Sequence, residues 1–283
     1  MGLEVILMRN TLATVIVLYQ MKLVETPNYQ LLKQQLERDE LTLIVYDNSP
    51  IAQEDVLLEN ENVIYVHDKT NSGLAKAYNT ALRYCQENQI DLLLLLDQDT
   101  QLPKMYFEVL LTKELNEDVA VYVPLAMARQ QQISPVFSHQ YIRGASQKVA
   151  PGIYEAALMA INSGTVLTLA TMNWLSEFNL AFPLDFLDHW FFLQLHQAKK
   201  KVEVLNIPIQ QELSVLDYSS ISLKRYDSII RAESLFYQKY DKNKCSAHKR
   251  HLFLRAMKQF LLVKNRKFWR RTMKECFSLM KGK

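Results

Sequence analysis

The chain reads as an α/β protein with a mostly parallel, Rossmann-like central sheet flanked by helices, followed by a basic helical appendage. Short β-branched or leucine-rich runs alternate with helical patterns over the first hundred residues, and beyond Ser222 the pattern is helical almost to the end. Such alternation argues for parallel strands joined by crossover helices. Polar clusters also follow the second and fourth apolar runs directly. In open α/β sheets ligands bind there, beyond the carboxyl ends of the strands.

Residues 14–19 are β-branched and predict a buried strand. Residues 29–38 place Leu31, Leu32, Gln35 and Leu36 at helical spacing. A second strand over 41–46 closes on the turn cluster Asp47, Asn48, Ser49 and Pro50, and a third covers 63–66. Over 74–86 a helix carries Leu74, Ala77, Ala81, Leu82 and Cys85 on one side. The run 91–96 is almost wholly apolar, which predicts a central strand covered on both faces. Residues 119–169 look strand- and loop-rich, with turns at Gly144, Pro151-Gly152 and Ser163-Gly164, and 185–198 read as a helix beginning near Asp188. With no internal repeat or low-complexity linker, the expected organisation is one domain over 1–220 and a helical, basic region over 221–283.

Composition bounds the use of this fold. At 283 residues with 49% hydrophobic content the chain can bury a sizeable core, and six glycines and eight prolines exclude a fibrous or disordered class. Cys85, Cys245 and Cys276 are odd in number and far apart, so they build neither a disulfide framework nor a metal site and fit a reducing cytosol. Glu4 and Arg9 interrupt the first apolar run before a signal-peptide core forms, and Ile6 stands where myristoylation wants Ser or Thr. No stretch approaches the roughly 20 apolar residues needed to span a bilayer, so the expectation is a soluble or peripheral protein. The net charge of +3 hides a division: from His248 to Lys283 twelve Lys or Arg face the single acid Glu275, leaving −8 for the rest.

Four clusters carry chemistry. Asp97 and Asp99, two apart at the end of an extended run, point to one face. Their charges repel unless a cation lies between them, and Mg²⁺ or Mn²⁺ suits such oxygen ligands; a plain polar turn is the other reading. In the segment 71–79 Gly73 permits a tight loop into a helix whose N-terminal N–H groups would face an anion such as diphosphate, although an ordinarily capped helix explains it equally. Asp47 offers a carboxylate to a nucleobase or ribose, or else makes an Asx turn into Pro50. Asp188, ahead of Trp190, Phe191 and Leu193, suits a general base in apolar surroundings, or an N-terminal helix carboxylate and nothing more.

Taken in order, these elements resemble the inverting glycosyltransferases of family 2, most closely their rhamnosyltransferase-like branch. They are the strand ending at Tyr19-Gln20, Asp47-Asn48-Ser49, Asn71-x-Gly73-x-Ala75-x-Ala77-x-Asn79, Asp97-Gln98-Asp99-Thr100, Asn162-Ser163-Gly164 and Leu184-Asp185-x-x-Asp188. The resemblance covers about residues 12–215 and implies a GT-A fold with a nucleoside diphosphate-sugar donor. It would place Tyr19 and Asp47 at the nucleobase and ribose, and Asn71 and Gly73 beside the diphosphate. Asp97 would face ribose or sugar, Asp99 with Asp97 would hold Mg²⁺ or Mn²⁺, and Ser163 and Gly164 would lie near the sugar or acceptor. Asp188 would deprotonate the acceptor hydroxyl. It further implies a dTDP- or UDP-sugar, rhamnose first, passed to a lipid-linked or saccharide acceptor in bacterial surface polysaccharide synthesis. Two departures stand out: Gln211 occupies the place where the branch often has His, and Trp190 the place of a frequent acid.

Within the basic segment, Phe253, Met257 and Phe260, and Trp269, Met273, Phe277 and Met280, recur at helical spacing among Lys and Arg. A basic helix with such a face reads as an interfacial anchor on anionic lipid, which would place the protein on the inner face of the cell membrane. Alternatively the stripe packs on the preceding domain. No nucleic-acid recognition motif accompanies the charge. The competing function is a nucleotide-sugar- or partner-binding module without turnover; a dinucleotide-dependent oxidoreductase lacks its Gly-x-Gly-x-x-Gly loop.

Overall fold

The structure is a computed structural model describing residues 9–142, 146–211 and 221–281. The readings made on Gly2, Glu4, Ile6 and Gly144 lie outside the described residues.

In chain order the elements are β1 (Leu12–Leu18), α1 (Tyr29–Leu36), β2 (Thr42–Asp47), β3 (Val63–His67), α2 (Leu74–Glu87), β4 (Leu92–Asp97), α3 (Tyr106–Thr112), β5 (Val119–Ala128), β6 (Gln131–Ser134), β7 (Val136–Phe137), β8 (Gly152–Tyr154), β9 (Leu158–Met159), β10 (Val166–Thr168), α4 (Leu169–Trp174), α5 (Leu187–Gln197), β11 (Lys201–Gln210), α6 (Leu223–Lys239), α7 (Cys245–Leu262) and α8 (Arg266–Met280). The large sheet runs β3-β2-β1-β4-β10-β5-β11-β8, with β6 on β5, while β7 and β9 form a separate ribbon. Strands β3, β2, β1 and β4 are mutually parallel, and β10 runs antiparallel between β4 and β5. The expected mostly parallel sheet is therefore present. The order reverses beside β1, which opens a crevice at the carboxyl ends of β1, β2 and β4.

Alternation along β4 shows why its leucine run is central. Leu93 and Leu95 enter the core beneath α2, α4 and α5, whereas Leu92, Leu94 and Leu96 enter the core beneath α1 and α3. Each fully buried leucine contributes about 2 kcal/mol by removal from water. Neither α3 nor α4 is foreseen by periodicity, because seven or six residues are too few to display a 3.6-residue repeat.

The C-terminal helices join that framework through α6. Phe236 and Tyr237 belong to the sheet-side core, while Tyr226 and Ile230 belong to a third core with Leu252, Phe268, Cys276 and Leu279. The buried Thr272 is satisfied there by Tyr226 and Gln259, at 2.6 and 2.7 Å. Packing thus falls to Phe268, Thr272, Cys276 and Leu279. Phe253, Met257 and Phe260, with Phe277 and Met280, are left exposed. Among the described residues no helix is long and apolar enough to cross a membrane, and all three cysteines are unpaired.

Candidate active site

The site forms where the parallel strands end. Asp97 is the last residue of β4, and its backbone N–H donates to Ser163 Oγ at 2.9 Å. Ser163 Oγ also lies 2.6 Å from Thr100 Oγ1. Ser163 is fully buried, and the adjacent Gly164 has φ +82° and packs against Pro124 and Ile209. The pair therefore sits beneath the carboxylates and fastens the 97–100 turn. With its hydroxyl spent on two internal hydrogen bonds, Ser163 supports the turn from beneath.

Asp97, Asp99 and Asp188 share the crevice, near enough for the charges of the other two to act on Asp97. The Asp97 carboxyl is pushed up to about 7 by burial and then by the charge of Asp99, with Asp188 adding to the effect and a bond from Tyr78 opposing it. The Tyr78 hydroxyl lies 3.4 Å from Asp97 Oδ1 and also feels Asp188. Asp188 lies in the first turn of α5, which Phe186 opens in the left-handed conformation at φ 63°. The Asp188 carboxylate accepts the N–H of His189 at 2.8 Å. Tyr78 was missed as a site residue although it lies inside the 71–79 motif.

Gln211 lies beside Asp99, as its place in the sequence suggested. Its Nε2 donates to Asp99 Oδ1 at 3.2 Å, and its Oε1 accepts from the Thr100 hydroxyl. The residues fit a hard divalent cation in part. Asp97 and Asp99 supply two oxygens whose mutual repulsion a cation would relieve, but Gln211 turns its amide nitrogen to Asp99. Among the described residues no cluster of three or more His, Cys, Asp or Glu closes on one point. Phosphate oxygens and water would have to complete the coordination.

The loops after β1, β2 and β3 are organised by their own side chains. Asp47 is fully buried and accepts from Ser49 N, Gln53 Nε2 and Tyr65 OH at 2.9, 3.0 and 2.9 Å. Burial raises its carboxyl, but these bonds outweigh burial and hold it below the usual range. The Asx turn is thus real, and the loop's surface belongs to other groups. Tyr19 is exposed, and Gln98 grips its backbone by both N–H and C=O, at 2.7 and 3.3 Å. Asp68, also missed from sequence, follows β3 directly, one position beyond the place that Asp47 holds as the last residue of β2. It accepts from Tyr46 OH at 2.8 Å and from Thr70 N at 3.0 Å, anchoring the approach to Asn71. Its place just past a parallel strand was the signal available.

In the segment 71–79 the start of α2 is capped from within the chain. Asn71 has φ 51° and Gly73 φ 89°. The first N–H groups of α2 do not face the crevice: Leu74 N and Ala75 N donate to Pro183 O, at 2.6 and 3.4 Å. A Cβ on Gly73 would lie 2.2 Å from that same carbonyl oxygen. Asn79 binds Phe178 N and O at 2.6 and 2.9 Å. The motif thus ties the loop preceding Asp188 to α2. Asp185 is held in the same loop by both guanidinium nitrogens of Arg225 on α6, one of them at 2.7 Å.

Sheet order and the carboxylate crevice at its reversal define an α/β fold of the GT-A class. The chain belongs to glycosyl transferase family 2, whose model matches residues 29–171. Among solved structures, GalNAc-T7 crystallised with UDP, GalNAc and Mn²⁺ is similar with a TM-score of 0.55 at 11% identity, over 81% of this chain and 50% of that one. S. aureus TarS gives a TM-score of 0.47 at 13% identity, over 82% and 44%. The chain therefore spans half or less of the length of these structures, and the likeness is one of fold. No curated protein sequence matches it.

Proposed function

We propose that the protein is an inverting, metal-dependent glycosyltransferase that moves a sugar, rhamnose being the first candidate, from a dTDP- or UDP-sugar to a lipid-linked or saccharide acceptor of a bacterial surface polysaccharide. The observation that carries this reading is the placement of Asp97 at the end of β4, with Asp99 in the turn that follows and Asp188 in the first turn of α5. Asp188 takes the proton of the acceptor hydroxyl, whose oxygen attacks the anomeric carbon opposite the diphosphate. The bond to the diphosphate breaks with its electron pair, inverting the centre. Asp99, with Asp97, would hold Mg²⁺ or Mn²⁺, which neutralises charge on the departing diphosphate. Tyr19 flanks the nucleobase, and Asp47 acts on it through the loop it orders. Asn71 and Gly73 border the diphosphate side, and Ser163 and Gly164 support Asp97 from below. In this reading residues 1–220 are the catalytic domain and 221–283 the membrane-associating region.

Thermal stabilisation by a panel of nucleotide sugars, with and without Mn²⁺, tests the donor site. A metal-dependent rise in Tm with one donor, lost in Asp99→Ala, is expected. Donor hydrolysis abolished by Asp188→Asn separates a transferase from a module that binds without turnover, the reading that the amide of Gln211 beside Asp99 favours. No shift with any nucleotide would sink the donor site.

The proposed cytoplasmic, peripheral location rests on α7 and α8. Phe260 packs edge-on against Trp269 at 5.3 Å, joining the two exposed stripes. A shallow groove along α8 mixes Trp269, Met273 and Phe277 with Arg270, Lys274 and Lys281. Such a face suits an anionic membrane surface. Cosedimentation with phosphatidylglycerol vesicles but not phosphatidylcholine vesicles, lost in Phe260→Glu, is the expected result.

A further inference from the structure

A cavity of about 720 Å³ lies alongside α5 and contains none of the crevice carboxylates. Its walls are one face of α5, the β7–β9 ribbon, and the end of α6 with the turn that follows. The volume falls within the roughly 300–1,000 Å³ range of small-molecule sites.

The lining is specific in kind. Tyr240 supplies aromatic surface over a floor closed by the buried Phe236 and Tyr237, and His189 reaches in from α5. The His189 ring stacks on Phe186 at 4.4 Å and meets Phe236 edge-on at 5.5 Å. Burial lowers its pKa and keeps it neutral, so one ring nitrogen donates and the other accepts. Neither ring nitrogen has a hydrogen-bond partner among the described residues. The charge of the lining is also one-sided. Asp241 is its sole acid and is paired with Lys244 at 2.5 Å. Lys239 and Lys242, both exposed, have no ion pair among the described residues.

Aromatic surface beside an imidazole that both donates and accepts suits a hydroxylated ring, which has apolar faces and polar edges. Two uncompensated ammonium groups suit an anion on that ring. From His189 to Gln197, the cavity side of α5 extends about 12 Å at 1.5 Å per residue. Asp188 stands at the start of that helix, so a chain of sugars lying in the cavity leads toward it.

We propose that this cavity binds an acidic saccharide, a sugar chain bearing phosphate or carboxylate, with a ring on Tyr240 and its anion at Lys239 and Lys242. Its role as the holding site for the body of the acceptor rests on the transferase reading; the binding itself does not.

The test uses the full chain with its donor site saturated by UDP and Mn²⁺. Glucose 1-phosphate, glucuronate, maltotriose and inorganic phosphate are titrated by calorimetry and by saturation-transfer NMR. One or both anionic sugars should bind, at least tenfold more tightly than maltotriose or inorganic phosphate, and the preferred one identifies the anion. Affinity should fall at least tenfold in Lys239→Ala/Lys242→Ala and vanish in Leu193→Trp, which fills the cavity, while UDP binding persists in both variants. Equal affinity for inorganic phosphate, no preference over maltotriose, or an unchanged affinity in the lysine variant would overturn the proposal. Failure of UDP to bind while the acidic sugar still does would sink the donor reading and leave the cavity assignment standing.

Discussion

Gly73→Ala probes the joint between α2 and the loop that carries Asp188. At φ 89° and ψ −171° Gly73 occupies backbone space that is essentially reserved for glycine, and forcing alanine there costs about 1–3 kcal/mol. The new Cβ would lie 2.2 Å from Pro183 O and 2.9 Å from Pro183 C, both backbone atoms, so the loop must retreat by about 1 Å to reach ordinary contact. That retreat stretches the Leu74 and Ala75 hydrogen bonds to Pro183 O, each contributing about 1 kcal/mol. The expected total is about 3–5 kcal/mol, a large share of the 5–15 kcal/mol typical of a folded domain. Urea denaturation followed by tryptophan fluorescence reads it as a lower midpoint at unchanged slope. Because Asp188 follows five residues after Pro183, specific activity of the folded fraction should fall as well. A loss below about 1 kcal/mol with full activity would refute the argument that this glycine exists for the Pro183 contact.

Other expectations follow from the same geometry. Chelation by EDTA should abolish transfer and Mn²⁺ should restore it, whereas Asp99→Ala should resist rescue; undiminished turnover in EDTA would exclude a metal role for Asp97 and Asp99. Arg225→Ala leaves the partly buried carboxylate of Asp185 without its partner, and about 1–2 kcal/mol should be lost after allowance for the partial exposure of both groups. Arg225→Lys should recover only part of that in a thermal melt, since lysine lacks the paired donors. His248 is buried against Glu233, Arg255, His251 and Tyr141, and burial lowers its pKa to about 4. The unfolded chain takes up this proton near pH 6.5, so stability contributed by the neutral ring is complete above pH 6.5 and is lost as pH falls to 4, by up to about 3 kcal/mol. Stability measured from pH 7 to 4 should fall less steeply in His248→Gln, and parallel curves would remove His248 as the cause.

Much of the framework was legible because it is written in local periodicity. β-Branched and leucine runs marked β1 to β4 within a residue or two, and the helical spacing of 74–86 and 185–198 marked α2 and α5. The same logic placed Asp97 at a strand end, whereas Asp99 falls in the turn beyond β4 and not on the extended strand that the spacing assumed.

Proximity between distant positions was decided by the tertiary structure. Ser163 lies under Asp97, Gln211 beside Asp99, and Pro183 over Gly73, across 66, 112 and about 110 residues of chain. No local pattern encodes such pairs, because each depends on how β10, β11 and the loop before α5 settle on the sheet. Whether a polar residue faces outward or into the scaffold is set by that settling: Asp47 and Ser163 stand out by motif and are buried in internal hydrogen bonds by the fold. Likewise, spacing displayed the stripe Trp269, Met273, Phe277 and Met280 on α8, whereas packing against α6 and α7 buried a different face, headed by Phe268. A helix exposes every face to its own sequence equally, and only its neighbours determine which face loses water.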